Sequence, residues 1–466
     1  MLFTQESFLF LFLPLLIAIY YLLSSIDVRV KNIILLLFSL LFYGWGKSEY
    51  IVLLLAEIII AWIISARISK ISEEKEKSKL VLIIGIASVL GVLIYFKYAD
   101  FLILNVNAIT KSEISLTNNE LPLGISFFSF QVISFMIDCY RGDVKKKASF
   151  MDVALYVAMF PQLVAGPIVR YTDIEKQLHD RTVTLDNLWA GIRRFSIGFA
   201  KKVIIANQMA FIAQYAMDGV SKYASMTLWL GSIAYTLQIY FDFSGYSDMA
   251  IGLGKIFGFD FPENFNDPYT ASTVTDFWRR WHMSLSGWFR DYVYIPLGGS
   301  RKGNVVTIRN LFIVWALTGI WHGANWTFVL WGLLYFVFLA IEKWLKLTKI
   351  DNILSHIYTL FVVNILWIIF NSTSVNSAWT YIRNMFDIFN KGLVDYSTIF
   401  IIRQWWLTYI LAVVMCLPKL RLAIIRRTND SSVARIIFNA VECGVVIVTF
   451  SYVIKGSYNP FIYFNF

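Results

Sequence analysis

One imidazole and one carboxamide interrupt the apolar run WALTGIWHGANWTFVLWG, residues 315–332: His322 and Asn325. Histidine is the side chain best matched to general-base work near pH 7. An ionisable residue inside a membrane segment is costly when charged, so it points to function by default. The structural alternative is a neutral imidazole hydrogen-bonded between helices. A continuous helix places His322, Asn325 and Trp326 on one face, and Gly319 and Gly323 allow close approach of backbone or ligand.

A second polar concentration is TDFWRRWHMSLSGWFRDYVYIPLGGSRKG, residues 275–303. If its first part is helical, Trp278, His282 and Ser286 share a face by i, i+4 spacing, and Asp276 can pair with Arg280. Pro296, Gly298 and Gly299 force a turn. The structural alternative is an amphipathic helix at the membrane interface, with its arginines on headgroups. Asp242 and Asp248 stand in the apolar run YFDFSGYSDMAIG. They either cap helices or neutralise the nearby arginines, or they line an ion path. GLGKIFG (252–258) has the wrong glycine spacing for a dinucleotide fingerprint, and the chain has neither a nucleophile elbow nor a P-loop.

The elements that must carry these residues are membrane helices. Of 466 residues, 58% are hydrophobic and only 15% charged, against about a quarter charged in soluble domains. The net charge of +10 lies in short loops between apolar segments, which fits topology and anionic lipid headgroups better than nucleic acid. The three cysteines, Cys139, Cys416 and Cys443, are dispersed, so neither a disulfide framework nor a metal site is expected. The run 8–23 lacks a basic leader and a small-residue cleavage site, and reads as a retained helix rather than a signal peptide.

Apolar segments near 8–24, 32–46, 50–66, 80–97, 121–140, 151–169, 189–217, 226–258, 305–321, 325–345, 353–371, 404–418 and 435–455 give about eleven spans, with some re-entrant or merged. Lys and Arg concentrate in alternate loops, such as Arg67 to Lys79. The positive-inside rule then sets the amino terminus outside. Charges from Arg170 to Arg309, among them Arg193, Arg194, Lys201 and Lys202, interrupt the apolar pattern. Such charges persist at membrane depth only against protein or a watery cavity, so a central funnel is expected. The chain reads as one integral-membrane domain, 1–466, with a catalytic motif region at 275–345 and an aromatic tail at 458–466.

DFWRRWHMSLSGWFRDYVYIPLGGSRKG followed by LTGIWHGANWTFVLWG resembles the membrane-bound O-acyltransferase (MBOAT) family, in its bacterial branch that acylates alginate, peptidoglycan or teichoic acid. LPLGISFFSFQVISFMIDCYRGD, FPQLVAGPIVRY and YFDFSGYSDMAIGLGKIFGF resemble that branch too. The likeness runs from the first residues to the last. It implies an all-α polytopic fold in the bacterial cytoplasmic (inner) membrane, with His322 catalytic and His282 at the earlier polar position of the motif. It further implies acetyl-CoA as cytoplasmic donor substrate, no permanently bound cofactor, and an extracytoplasmic esterase-like partner that completes transfer to a polysaccharide. Asn325, Trp278, Trp321, Arg279 and Arg280 are the expected substrate contacts. The tail YNPFIYFNF resembles the F-I-Y tail of a small peptide in the D-alanylation system, which makes Tyr463 a candidate acyl relay; an interfacial anchor is the alternative. The competing functions are D-alanyl transfer, which needs an acyl-carrier protein as donor, and transport, which needs repeat symmetry that this sequence lacks.

Overall fold

The computed structural model describes residues 1–23, 26–455, 461 and 462. Among these the regular structure is entirely helical. The longer helices are α1 (Phe8–Leu22), α2 (Val28–Gly44), α3 (Glu49–Lys70), α4 (Lys75–Thr110), α5 (Ile125–Arg141), α6 (Phe150–Ala158), α7 (Leu185–Asp218) and α8 (Ser225–Ile256). They are followed by α9 (Val274–Arg280), α10 (Met283–Phe289), α11 (Asn304–His322), α12 (Trp326–Trp344) and α13 (Ile353–Asn371). The last four are α14 (Val375–Phe386), α15 (Tyr396–Met415), α16 (Pro418–Asp430) and α17 (Ser432–Ile454).

Eight of these, α3, α4, α7, α11, α12, α13, α15 and α17, are long and apolar enough to cross a membrane. The other expected segments fall in helices that are shorter or more polar, which is why the expected count of about eleven is not reached by this measure. The segment expected at 151–169 is interrupted: its helix stops at Ala158, and Pro161 and Gly166, the latter with φ +110°, prevent its continuation. Helix α8 is long but carries Asp242, Asp248 and Lys255.

The chain divides into two units, Met1–Phe195 with Ser247–Glu263, and Ser196–Tyr246 with Asn264–Phe466. The first unit is tied internally by polar groups. Arg181 donates from Nε and Nη2 to the Tyr20 hydroxyl at 3.1 and 2.9 Å, while Tyr20 donates to the Phe257 carbonyl at 2.9 Å. Arg194 pairs with Asp248 and, bidentately, with Glu263 at 3.0 and 2.7 Å. The expected neutralisation of Asp248 by a neighbouring arginine is therefore observed.

The second unit holds every candidate site residue that the structure describes. Its central pair is α11 on α12, which meet through glycines. A Cβ on Gly319 stands 2.6 Å from the Phe328 carbonyl oxygen, and one on Gly332 at 2.5 Å from the Trp315 carbonyl oxygen. Small residues of this kind let membrane helices pack backbone to backbone. Both obstacles are main chain, so no side-chain rotation relieves them. Gly332→Val is accordingly expected to separate α11 from α12 and lower the thermal unfolding midpoint of the detergent-solubilised protein by at least about 5 °C, from overpacking costs of about 1–3 kcal/mol or more. An unchanged midpoint shows that this contact is not needed.

Candidate active site

The motif region begins where α9 is pinned to α12. Thr273 caps α9 by accepting from the Asp276 amide at 3.0 Å. The fully buried carboxylate of Glu342, on α12, accepts from the Val274 and Thr275 amides at 2.7 and 2.8 Å and from the Thr275 hydroxyl at 2.6 Å. A carboxylate at a helix amino terminus satisfies free N–H groups and opposes the positive end of the helix dipole. Asp276 pairs with Arg280 at 2.9 Å, as the i, i+4 spacing predicts.

Helix α9 does not continue into α10. Trp281 is extended and His282 takes φ 44°, ψ 54°, in the left-handed region. That conformation costs a non-glycine residue about 1–3 kcal/mol unless its surroundings enforce it. Here residues 264–266 run alongside the break: the Asn266 amide donates to the Arg280 carbonyl at 2.9 Å, and the Met283 amide to the Asn264 carbonyl at 3.0 Å. The single helical face expected for Trp278, His282 and Ser286 is therefore absent. Two short helices meet at the histidine instead, and Ser286 reaches the Trp278 carbonyl with its hydroxyl at 3.3 Å.

The break fixes the tautomer of His282. Asn264 Oδ1 accepts from the Ser284 amide at 3.3 Å and from the Ser284 hydroxyl at 2.9 Å. A backbone amide can only donate, so this atom is the carboxamide oxygen. His282 Nδ1 lies 3.1 Å from the same oxygen and must carry the proton there, leaving Nε2 with the basic lone pair. The ring is fully buried, edge-on to Phe243 at 4.7 Å. Burial alone pushes its pKa down from 6.5 to about 3, because desolvation penalises the imidazolium. His282 lies outside the eight candidate spans.

His322 is the last residue of α11. Its ring is packed by Trp321, Trp331 and Phe370, with centroids 4.9, 5.0 and 5.2 Å away. Trp321 also stands 6.1 Å from the ring of His282, so one indole flanks both imidazoles. Beyond Trp331 the aromatic cluster continues through Tyr335, Trp278 and Trp315 at centroid distances of 4.7–5.6 Å. Trp278 Nε1, Trp331 Nε1 and Tyr335 Oη are buried with no hydrogen-bond partner among the described residues. A buried donor left unmatched costs about 1–3 kcal/mol, and a substrate carbonyl oxygen is the acceptor such a group fits.

The continuous helix expected through Asn325 is also absent. Gly323 is extended and α12 starts anew at Trp326. Asn325 caps it, with Oδ1 accepting from the Thr327 amide at 3.0 Å, while Nδ2 donates to the Thr373 carbonyl at 2.9 Å. Asn325 therefore shares no helix face with His322, and both ends of its carboxamide are engaged in shaping the turn. Gly319, expected to allow close approach of backbone or ligand, admits the backbone of the neighbouring helix.

A cavity of about 220 Å³ is lined by Leu311, Val314, Trp315 and Thr318 on α11, facing Trp278, Arg279, Leu285 and Arg290. Its α11 residues form one stripe of the helix, and His322 is the next position along that stripe. Arg279 is solvent-exposed on the cavity wall, whereas Arg280 is engaged by Asp276. Lys202, one of the charges expected against protein or a watery cavity, is buried in an ion pair with Asp242. Tyr463 lies outside the described residues. Among those residues no group of three or more His, Cys, Asp or Glu could hold a metal ion. Asn264 and Glu342 escape a reading of the sequence because their partners lie 18 and about 70 residues away and neither sits in a recognisable motif.

The chain is similar to known proteins along most of its length. The family model for MBOAT, the membrane-bound O-acyltransferase family, matches residues 141–382. The probable alginate O-acetylase AlgI of Azotobacter vinelandii is 43% identical over 85% of this chain and 80% of its own length. The peptidoglycan O-acetyltransferase of Helicobacter pylori is 32% identical over 100% of this chain and 98% of its own. The teichoic acid D-alanyltransferase of Bacillus subtilis is 32% identical over 49% of this chain and 61% of its own. A match to the family model over half the chain, joined to relatives aligned along most of its length, makes this multi-pass membrane protein an acyltransferase belonging to the membrane-bound O-acyltransferase family.

Proposed function

We propose that the protein takes acetyl groups from acetyl-CoA at the cytoplasmic face and delivers them across the membrane for O-acetylation of an extracytoplasmic polysaccharide. The observation that carries this reading is the cavity along α11, with Arg279 and Arg290 at its wall and His322 one turn beyond Thr318. Arg301 and Lys302 precede α11, and Lys343, Lys346 and Lys349 end or follow α12. By the positive-inside rule those ends are cytoplasmic and the His322 end is opposite. Guanidinium groups at the cavity wall suit the phosphates of coenzyme A, and its apolar length suits the pantetheine arm. The relatives aligned over most of the chain are O-acetyltransferases by name, whereas the D-alanyltransferase covers about half, which favours acetyl over D-alanyl transfer.

In this reading His322 takes the proton of the acceptor hydroxyl as its oxygen attacks the thioester carbonyl carbon. The carbonyl electron pair moves to oxygen, where an indole or phenol donor of the Trp278, Trp331 and Tyr335 group stabilises it. The intermediate collapses, the C–S bond breaks, and the imidazolium returns the proton to the leaving sulfur. His282, neutral and oriented by Asn264, supports this site as a positioned polar group. Tyr463 is the proposed first acceptor. A phenol of pKa about 10 needs a base to attack, and a phenyl ester stays activated for a second transfer to a serine of an esterase-like partner outside. Asn325, Trp278, Trp321, Arg279 and Arg280 form the proposed substrate surroundings, with Asn325 acting through the turn that it caps.

His322→Ala is expected to lower acetyl transfer from radiolabelled acetyl-CoA to envelope polymer by at least about 100-fold, the scale of a lost general base, while membrane insertion persists. Undiminished labelling excludes His322 as the base, and labelling that requires an acyl-carrier protein instead of coenzyme A moves the assignment to D-alanyl transfer.

His282 carries a pH prediction. Its folded pKa of about 3 lies below the unfolded value near 6.5. Between these values the unfolded chain binds a proton that the folded chain refuses, so stability falls as pH drops from about 6.5 toward 3. His282→Asn, whose side chain tolerates the left-handed backbone, is expected to flatten that part of the stability curve in thermal unfolding measured across pH. An unaltered slope shows that another group is responsible.

Tyr463→Phe keeps the aromatic ring and removes the hydroxyl. Polymer acetylation is expected to be lost at wild-type protein abundance; retention of full acetylation leaves the tail as an anchor and requires direct transfer through the protein.

A further inference from the structure

An aspartate and a lysine within apolar helices, and an aromatic tail, stand far apart along the sequence. The structure joins them. Lys202 lies in a π-helical turn, Lys201–Ala206, inside α7. Single π turns in a helix recur at functional positions. Its ammonium pairs with Asp242 of α8, and both residues are at most 2% exposed. The approach of the two helices depends on Gly245, where a Cβ stands 2.7 Å from the Gly198 carbonyl oxygen.

A buried ion pair repays its desolvation only if further hydrogen bonds satisfy the remaining valences. Here the tail supplies them. The Ile462 amide donates to Asp242 Oδ2 at 2.8 Å. The ring of Phe461 lies 4.5 Å from Lys202 Nζ in a cation–π contact, and stands edge-on to Tyr246 at 4.8 Å. Phe461 and Ile462 are 2% and 7% exposed, and Ile462 packs into the same apolar core as Trp281 and Trp331. The carboxylate reads the main chain of the tail and the ammonium reads an aromatic face, so this is recognition of a peptide rather than apolar burial alone.

We infer that the Lys202–Asp242 pair is a peptide-binding site whose ligand is the chain's own Phe461–Ile462 segment. The ligand class is an aromatic–aliphatic dipeptide with a free backbone N–H on its second residue. Site and ligand meet at two points: the Asp242 carboxylate binds the Ile462 amide, and the Lys202 ammonium faces the Phe461 ring. This assignment takes Asp242 away from an ion path and gives the π turn a purpose, since it carries the lysine. None of these observations involves His322, so the inference stands independently of the acyl-transfer reading.

Hydrogen exchange on the full-length protein in detergent, read by mass spectrometry with fragmentation to single amides, tests the site without measuring turnover. In the wild type, the Ile462 amide is expected to exchange at least about 100-fold more slowly than in an unstructured peptide, as a buried bonded amide does. Exchange at the unstructured rate overturns the inference at once. In the charge-balanced double variant Asp242→Asn with Lys202→Met, Ile462 is expected to lose at least about tenfold of that protection while the Val274 amide, held by Glu342, keeps its own. Protection of both amides overturns the inference. If Val274 is also exposed, the variant has unfolded, and Phe461→Leu decides: it leaves the pair intact, removes the ring over Lys202, and is expected to speed Ile462 exchange by at least about threefold. An unchanged rate in that variant overturns the inference.

Discussion

The carboxylate of Glu342 ties together the elements that carry the two motif histidines. It sits on α12 and gathers the first amides of α9 with the Thr275 hydroxyl. The same helix presents Trp331 to His322, and α9 leads directly into the break at His282. One buried acid therefore references both histidine-bearing segments to a single helix. The cost of burying that charge is offset by charge-assisted bonds to groups that would otherwise end α9 unsatisfied. Replacing such an anchor with an apolar residue leaves the amides orphaned, which is why a carboxylate is found where the surrounding composition favours leucine.

Within the cluster the two imidazoles are packed by aromatic rings, and this decides what they can do. His282 has one nitrogen fixed by Asn264 and a basicity suppressed by burial, so it serves as a neutral, oriented group at any physiological pH. His322 ends its helix among three aromatic rings, at the head of the stripe that lines the cavity. Two histidines of identical composition thus receive different capacities from their surroundings. Preorganised donors buried among aromatic rings act more strongly on developing charge than they do in water.

Much of this was legible in the sequence, because the underlying physics is local or compositional. Membrane character follows from apolar content, and the Asp276–Arg280 pair from helical spacing. That Asp248 neutralises an arginine follows from the charges clustered between Arg170 and Arg309, although its partner Arg194 stands on the preceding long helix. The two helix breaks were not legible. Nothing in RRWHMSL forbids a continuous helix; the break at His282 is imposed by residues 264–266, which take over its hydrogen bonds from a distance. At Asn325 a capping signal was present, since asparagine favours that position, but helical spacing across Gly323 was the misleading alternative. Asn264 and Glu342 were silent because each acts on an element far along the chain.

The break at His282 also separates the angular phase of α9 from that of α10. In an uninterrupted helix each added residue rotates everything beyond it by about 100°, so Trp278 and Ser286 would be locked to one another. With an extended residue and a left-handed residue between them, each helix keeps its own rotation, set by what it packs against. An insertion or deletion before Trp281 then displaces the wall made by Trp278 and Arg279 without turning Leu285 and Ser286 away from the cavity. The two walls of the cavity can change in sequence separately, which gives one scaffold a way to vary the width of this space.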